Sequence, residues 1–254
     1  MKETNETLLF LHGFPFSPAM WELQRAAFEA KGYRVVAPDL RLEGEIGPDG
    51  LPAPATMERM AEAALAALDE AGAAQSVVCG LSMGGYAALA LYALAPERVN
   101  GLVLTDTRAE ADSEEGRAGR RAVAEKAMAQ GGFPDPDALL SKLVSPATKA
   151  DKPDVVDAIR RMILEASPAA IASAALGMAV RPDRTALLPT IRVPALVIVG
   201  EHDSITPPDA ARAMASAIPG SELVVLTDAG HVSNMEQPER FNRALLDWLS
   251  SGTR

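Results

Sequence analysis

Val77-Val78-Cys79-Gly80-Leu81-Ser82-Met83-Gly84-Gly85-Tyr86 decides how this chain is read. Three apolar residues suit a short buried strand. They run into Gly80-Leu81-Ser82-Met83-Gly84, and residues 86–95 are uncharged and rich in Ala and Leu, as in a helix buried nearly all round. A G-x-S-x-G pentapeptide alone is a weak signal, but between a strand and a helix it has a mechanical meaning. The turn forces its central serine into strained backbone angles, and glycines two before and two after relieve the crowding. The hydroxyl then stands above the carboxyl ends of the strands, at a helix amino end that favours developing negative charge. The competing reading is a glycine-rich turn whose serine merely caps the helix. No charged residue lies between Glu70 and Glu97, so the stretch is also tested as a membrane span; its four interrupting polar and glycine positions fit a strand and a core helix better.

Outward from this turn, apolar runs at 7–11, 33–37, 102–104, 195–199 and 223–226 alternate with helical patterns. Ser17-Pro18 opens one helix and Thr56 caps another. The alternation predicts an α/β fold, a mostly parallel sheet of about six strands with helices on both faces. Residues 113–188 break the pattern, with helical segments divided by Gly131-Gly132, Pro134, Pro136, Pro146, Pro153, Pro168 and Pro182 and no convincing strand. We read 1–112 and 189–254 as the core and 113–188 as a helical lid inserted over the sheet's functional edge. Ordinary crossover helices are the alternative, but connections of that kind are much shorter.

The 254 residues are 48% hydrophobic and 23% charged, which excludes global disorder. A net charge of −10 disfavours a nucleic-acid binder, which needs a basic face. The lone Cys79 cannot form an intrachain disulfide, and no signal segment is apparent, so a cytoplasmic location is the expectation. Three scattered histidines and one cysteine are a poor metal ligand set, and there is no nucleotide loop. No cofactor is expected.

A serine hydroxyl needs a base to become a nucleophile. Of His12, His202 and His231, only His231 follows directly on a strand end without another assignment; His12 shapes the loop after the first strand, and His202 adjoins Asp203 too closely to share an orientation with it. Asp203, just after the 195–199 strand, is the acid that would orient the base, with Asp106 and then Glu201 as rivals. The chain order Ser82, Asp203, His231 is that of α/β hydrolases, not of chymotrypsin or subtilisin. An acyl-transfer site also needs oxyanion donors. The Met83 main-chain N–H is one and the Phe14 N–H the other; Pro15 has none to give.

His12-Gly13-Phe14-Pro15, Met20-Trp21, Pro38-Asp39-Leu40-Arg41, Gly80 to Gly85, Asp106-Thr107-Arg108, Gly200 to Asp203 and Ala229-Gly230-His231 together resemble the α/β-hydrolase superfamily. The closer resemblance is to small bacterial carboxylesterases and enol-lactone hydrolases with a helical lid, and it runs along nearly the whole chain. It implies Ser82 as nucleophile, His231 as base, Asp203 as acid, and Phe14 and Met83 as oxyanion donors. Three departures stand out. No antiparallel hairpin precedes the first strand, which leaves the 33–37 strand near an edge; Leu42 stands where the family has a glycine; and Ser233 stands where it has a proline.

The expected activity is that of a serine esterase acting on a small ester without a cofactor, its pocket lined by Phe14, Met83, Met162, Leu176 and Met178; for the three lid residues, simple packing between helices is the equal alternative. Adaptable methionines suit small acyl groups. A lactonase, C–C hydrolase or perhydrolase could use the same triad, and a silent binding or receptor module is the reading of another class. Neither nucleic acid nor membrane is an expected partner. The bare edge strand offers a surface on which a homodimer could form.

Overall fold

The computed structural model describes residues 6–251. Six strands, β1 (Thr7–Leu11), β2 (Arg34–Val36), β3 (Ser76–Leu81), β4 (Val99–Thr105), β5 (Ala195–Gly200) and β6 (Glu222–Leu226), form one parallel sheet in the order β2-β1-β3-β4-β5-β6. The short β2 is an edge strand, as expected for the 33–37 run. Side chains alternate between two cores along each central strand. Leu9, Leu11, Val78, Leu102, Leu104, Val197 and Val199 face helices α2 (Met57–Glu70), α3 (Met83–Leu94) and α9 (Pro208–Ala217). Leu8, Phe10, Val77, Cys79, Val103, Leu196 and Ile198 face α1 (Glu22–Glu29) and the C-terminal helix α11 (Pro238–Ser250).

Local chemistry sets the helix starts. Thr56 caps α2 by accepting the Arg59 N–H at 3.3 Å. The helix expected from Pro18 begins as a short 3-10 turn, Pro18–Trp21, before α1 takes over. Between β4 and β5 lie five α-helices, α4 (Glu114–Gln130), α5 (Pro136–Leu143), α6 (Pro146–Asp151), α7 (Pro153–Glu165) and α8 (Pro168–Ala179), and all but α7 begin on a side-chain cap: Ser113, Asp135, Ser145 and Ser167. Four of the prolines that divide this sequence are first residues of helices, where a missing N–H costs nothing. Gly131 ends α4 in the left-handed region, φ 76°. Helix α8 lies along α4 and is pinned to the loop before α2, Ser173 donating to the Ala53 carbonyl at 2.6 Å and accepting the Ala55 N–H at its own carbonyl at 3.0 Å.

Among the described residues no single helix is long and apolar enough to cross a membrane; α7 and α8 pass such a test only as a pair bent by 94°. The uncharged 77–95 stretch is the buried β3 and α3 at the centre of the sheet.

Glycine is required where α3 leaves the sheet. A Cβ on Gly84 would lie 2.0 Å from the Leu11 carbonyl oxygen, and one on Gly80 would lie 2.2 Å from that of Gly84. Both obstacles are main chain and cannot rotate away. Gly84→Ala is therefore expected to cost about 3 kcal/mol or more, read as a lowered thermal midpoint or loss of folded protein.

Candidate active site

Among the described residues three non-glycine residues have positive φ, and all follow strands or their turns: Ser82 after β3 (55°), Asp106 after β4 (44°) and Asp228 after β6 (57°). Strain of this kind persists only where neighbours over-determine it. At Ser82 they do. Its N–H donates to the Thr105 carbonyl at 2.9 Å, and its own carbonyl accepts from Gly85 N–H at 2.9 Å and from the Thr107 hydroxyl at 2.8 Å. With its backbone committed, the side chain projects at the amino end of α3.

The Ser82 hydroxyl lies 2.8 Å from His231 Nε2. On the other side of the ring, His231 Nδ1 is 2.9 Å from Asp203 Oδ2 and 3.0 Å from Oδ1. Asp203 and His231 are buried while Ser82 is half-buried, so the line of polar atoms runs from the interior outward. Ser82, Asp203 and His231 thus meet as the sequence expects.

Asp203 accepts more than the imidazole. Its Oδ1 takes the main-chain N–H groups of Ile205 (2.8 Å) and Thr206 (2.9 Å), and its Oδ2 takes the Thr206 hydroxyl at 2.6 Å. Burial pushes this carboxyl up, but the neighbouring His231 and the Thr206 donors outweigh it and hold it below the ordinary carboxylate value. Thr206 Oγ1 is also 3.3 Å from His231 Nδ1. Sequence reasoning missed this threonine. Its signal was present, a hydroxyl residue three positions after the acid in a turn opened by Asp203.

The rival acid is spent elsewhere. Asp106 Oδ1 accepts Gly200 N–H at 2.8 Å, and Oδ2 accepts the Ser233 hydroxyl at 2.5 Å with the Ser233 N–H at 3.4 Å. The serine standing where relatives have proline is therefore the tie that holds the start of α10 (Ser233–Glu236), just beyond His231. Burial first, and the Asp203 charge second, push the Asp106 carboxyl well above its usual value. A raised folded-state value means its stabilising contribution is present in acid and is lost as pH rises through that value. Asp106→Asn can accept from Gly200 and donate to the Ser233 hydroxyl. It should keep activity within about fivefold and gain stability relative to wild type as pH rises, whereas Asp106→Ala strands buried donors and costs about 1–3 kcal/mol. Activity assays and thermal unfolding between acid and alkaline pH check both.

The remaining candidates have structural partners. His12 Nε2 accepts the Leu40 N–H at 2.8 Å and Nδ1 faces the Gly13 carbonyl at 2.9 Å, which shapes the loop carrying Phe14. Glu201 and His202 are exposed, 3.9 Å apart. Leu42 packs partly buried against the core, its N–H bonded to the Leu40 carbonyl at 2.9 Å, so the loop closes without the family's glycine.

Phe14 and Met83 line one small cavity, of about 10 Å³, together with Ala166, Ala170, Ile171 and Ala174 from the α7–α8 corner. That is room for about one water. Three residues expected to line the pocket lie elsewhere. Met162 packs with Ile159, Ile163, Leu140 and Leu143 between α5 and α7, and Met178 sits in the core that faces α2 and α3. Leu176 borders a separate cavity of about 560 Å³ between α4, α8 and the 45–54 loop, which none of Ser82, Asp203 and His231 lines. The cause is helix rotation: α8 turns Ala170, Ile171 and Ala174 to the cavity beside Phe14, and Leu176 and Met178 away from it.

Comparison with known proteins agrees with the fold. Residues 8–244 match the profile described as the Alpha/beta hydrolase family. The chain is 30% identical over 242 residues to 3-oxoadipate enol-lactonase 2 of Acinetobacter baylyi, covering 94% of this chain and 86% of that protein. Its structure superposes on a thermophilic esterase from Thermogutta terrifontis, solved with malate bound, with TM-score 0.91 and 42% identity over 98% of this chain and 90% of the other. It superposes on the enol-lactonase from Burkholderia xenovorans LB400 with TM-score 0.85 and 31% identity, covering 97% and 92%.

Proposed function

The chain belongs to the alpha/beta hydrolase family, and on that premise we propose that it is a serine hydrolase cleaving small carboxylic esters through an acyl-enzyme on Ser82. The observation that carries this is the continuous contact from Ser82 Oγ through His231 to Asp203, with 2.8 Å and 2.9 Å steps, at a strained turn. A non-catalytic binding module has no use for a serine held against its backbone preference beside an oriented imidazole.

In the proposed reaction His231 Nε2 takes the Ser82 proton as Oγ adds to the ester carbonyl carbon. The Asp203 carboxylate stabilises the imidazolium that results. The carbonyl oxygen, now carrying the charge, is received by the main-chain N–H groups of Met83 and Phe14; among the described residues neither is engaged by a turn or loop bond. His231 then gives its proton to the leaving alcohol as the C–O bond breaks. Water, deprotonated by the same nitrogen, releases the acid and restores Ser82. No cofactor takes part in this sequence.

A second reading, hydrolysis of an enol-lactone by the same steps, is supported by the enol-lactonase similarity. In a lactone the leaving oxygen stays attached to the acyl group, so the chemistry at Ser82 is unchanged.

The wall of Ala166, Ala170 and Ala174 around a cavity of about 10 Å³ favours a short acyl chain, admitted as the α7–α8 corner shifts in the manner of a lid. A p-nitrophenyl ester series from acetate to decanoate, run beside a carboxylated enol-lactone, tests these readings. The ester reading expects kcat/KM to peak at the short esters and to exceed that for the lactone; the opposite ranking makes the chain a lactonase. Protonated His231 cannot accept the Ser82 proton, so turnover is also expected to fall on the acid side through a single group, because Asp203 is held below the usual carboxylate value and stays ionised there. An acid-insensitive rate would argue against a histidine base.

A further inference from the structure

One carboxylate beside the base has no part in the proton path. Glu236, at the end of α10, is completely buried. Its Oε1 accepts the Gly230 N–H at 2.7 Å and its Oε2 accepts the Ser145 N–H at 2.7 Å. Gly230 immediately precedes His231; Ser145 caps α6 in the helical segment between β4 and β5. The α5–α6 corner grips the same loop twice more. The Leu143 carbonyl accepts His231's own N–H at 2.7 Å, and the Ser145 hydroxyl donates to the Asp228 carbonyl at 2.9 Å. There is no slack in this contact: a Cβ on Gly230 would meet the Leu143 carbonyl oxygen at 2.7 Å and Ser145 N at 2.9 Å.

A buried carboxylate is a costly way to fill space, and an apolar residue would do it more cheaply. What the carboxylate adds is a fixed bite. Two oxygens on one carbon hold two distant chain segments at one separation, and both N–H groups would be orphaned without it. We infer that Glu236 is a positioning residue for the base: it locks the loop before His231 to the α5–α6 corner and so holds Nε2 in reach of Ser82. The inserted helices are thereby part of the frame that orients the base as well as a cover for the cleft. This rests on the reading of Ser82 and His231 as the reacting pair.

Glu236→Gln keeps the shape but turns an amide N–H₂ towards one of the two N–H donors, so one bond is lost. Misplacement of a catalytic group by a fraction of an ångström to an ångström can cost up to about 10²-fold. The expected result is a kcat at least about tenfold lower, per active site titrated with a fluorophosphonate, with KM changed less than about twofold. The acid limb of the kcat profile should shift as well, which a merely structural loss would not produce. Glu236→Asp retains the charge, can reach only one donor, and should show a smaller version of both changes. Folded variants with wild-type kcat and acid limb overturn the inference. So does a fall in activity that disappears on normalising to titrated sites. If neither variant folds, hydrogen exchange on the wild-type protein decides. The Gly230 and Ser145 amides should open together with equal protection, and clearly unequal protection contradicts the lock. Ser82→Ala assayed in parallel separates the two claims: retained activity there sinks the catalytic reading itself, whatever Glu236 does.

Discussion

Ser82→Ala is expected to lose about 10⁴-fold or more of ester turnover while the protein stays folded. The substitution is clean because of how the serine is held. Its strained φ of 55° and its backbone bonds to Thr105, Gly85 and Thr107 do not involve the hydroxyl, and alanine carries the same Cβ. Among the described residues the hydrogen-bond partner of Oγ is His231 Nε2, so the substitution removes that contact alone. What remains after the change is the pair of main-chain donors at Met83 and Phe14, and such donors with substrate binding alone leave a residual acceleration of about 10³–10⁴ over water in serine proteases. Circular dichroism and thermal unfolding should be near those of wild type, so that the loss is assigned to chemistry.

Asp203→Asn is the second large effect, a loss of about 10³–10⁴ in kcat by analogy with the corresponding change in serine proteases. The reason lies in the direction of the hydrogen bonds. Both carboxylate oxygens are acceptors, facing Ile205 N–H, Thr206 N–H, the Thr206 hydroxyl and His231 Nδ1. An amide nitrogen placed opposite Nδ1 donates to it, so the ring proton moves to Nε2, where it confronts Ser82 and cannot accept a proton. Asp106 is no substitute, because Gly200 and Ser233 already occupy its oxygens. Stability gives an independent check. A carboxyl held below its ordinary value in the folded state stabilises the protein above the unfolded-state value, and that stabilisation disappears as pH falls through the depressed one. The Asn variant should accordingly show a flatter loss of stability in acid. If Asp106→Asn proved the more damaging change to turnover, the acid would belong to β4 instead of β5.

Much of this site could be read in the sequence, because its parts announce themselves locally. The elbow is a pentapeptide in which a Cβ on Gly84 would lie 2.0 Å from the Leu11 carbonyl oxygen, and Asp203 and His231 each follow an apolar run that ends at the same sheet edge. The sequence leaves open what depends on how helices rotate. Met162, Leu176 and Met178 suit a pocket or helix packing equally by type; α7 and α8 turn them into packing or towards a different cavity, and Ile171 with three alanines faces Phe14 and Met83. Alanine carries no chemical signal, so no pattern could have selected Ala166, Ala170 or Ala174. Partnerships between distant residues were equally hidden. Ser233 read as a departure from the family, and its compensation by Asp106, 127 positions earlier, exists only in the folded chain.

The central claim is a covalent intermediate on Ser82, and it can be tested by acid-quenching the enzyme during turnover of p-nitrophenyl acetate and mapping the modified peptide by mass spectrometry. The account predicts an acetyl group on the peptide containing Gly80 to Gly84, localised to Ser82, absent from Ser82→Ala and accumulating more slowly in Asp203→Asn. Rapid turnover with no adduct at Ser82, or an adduct of equal amount on another residue in Ser82→Ala, would contradict it.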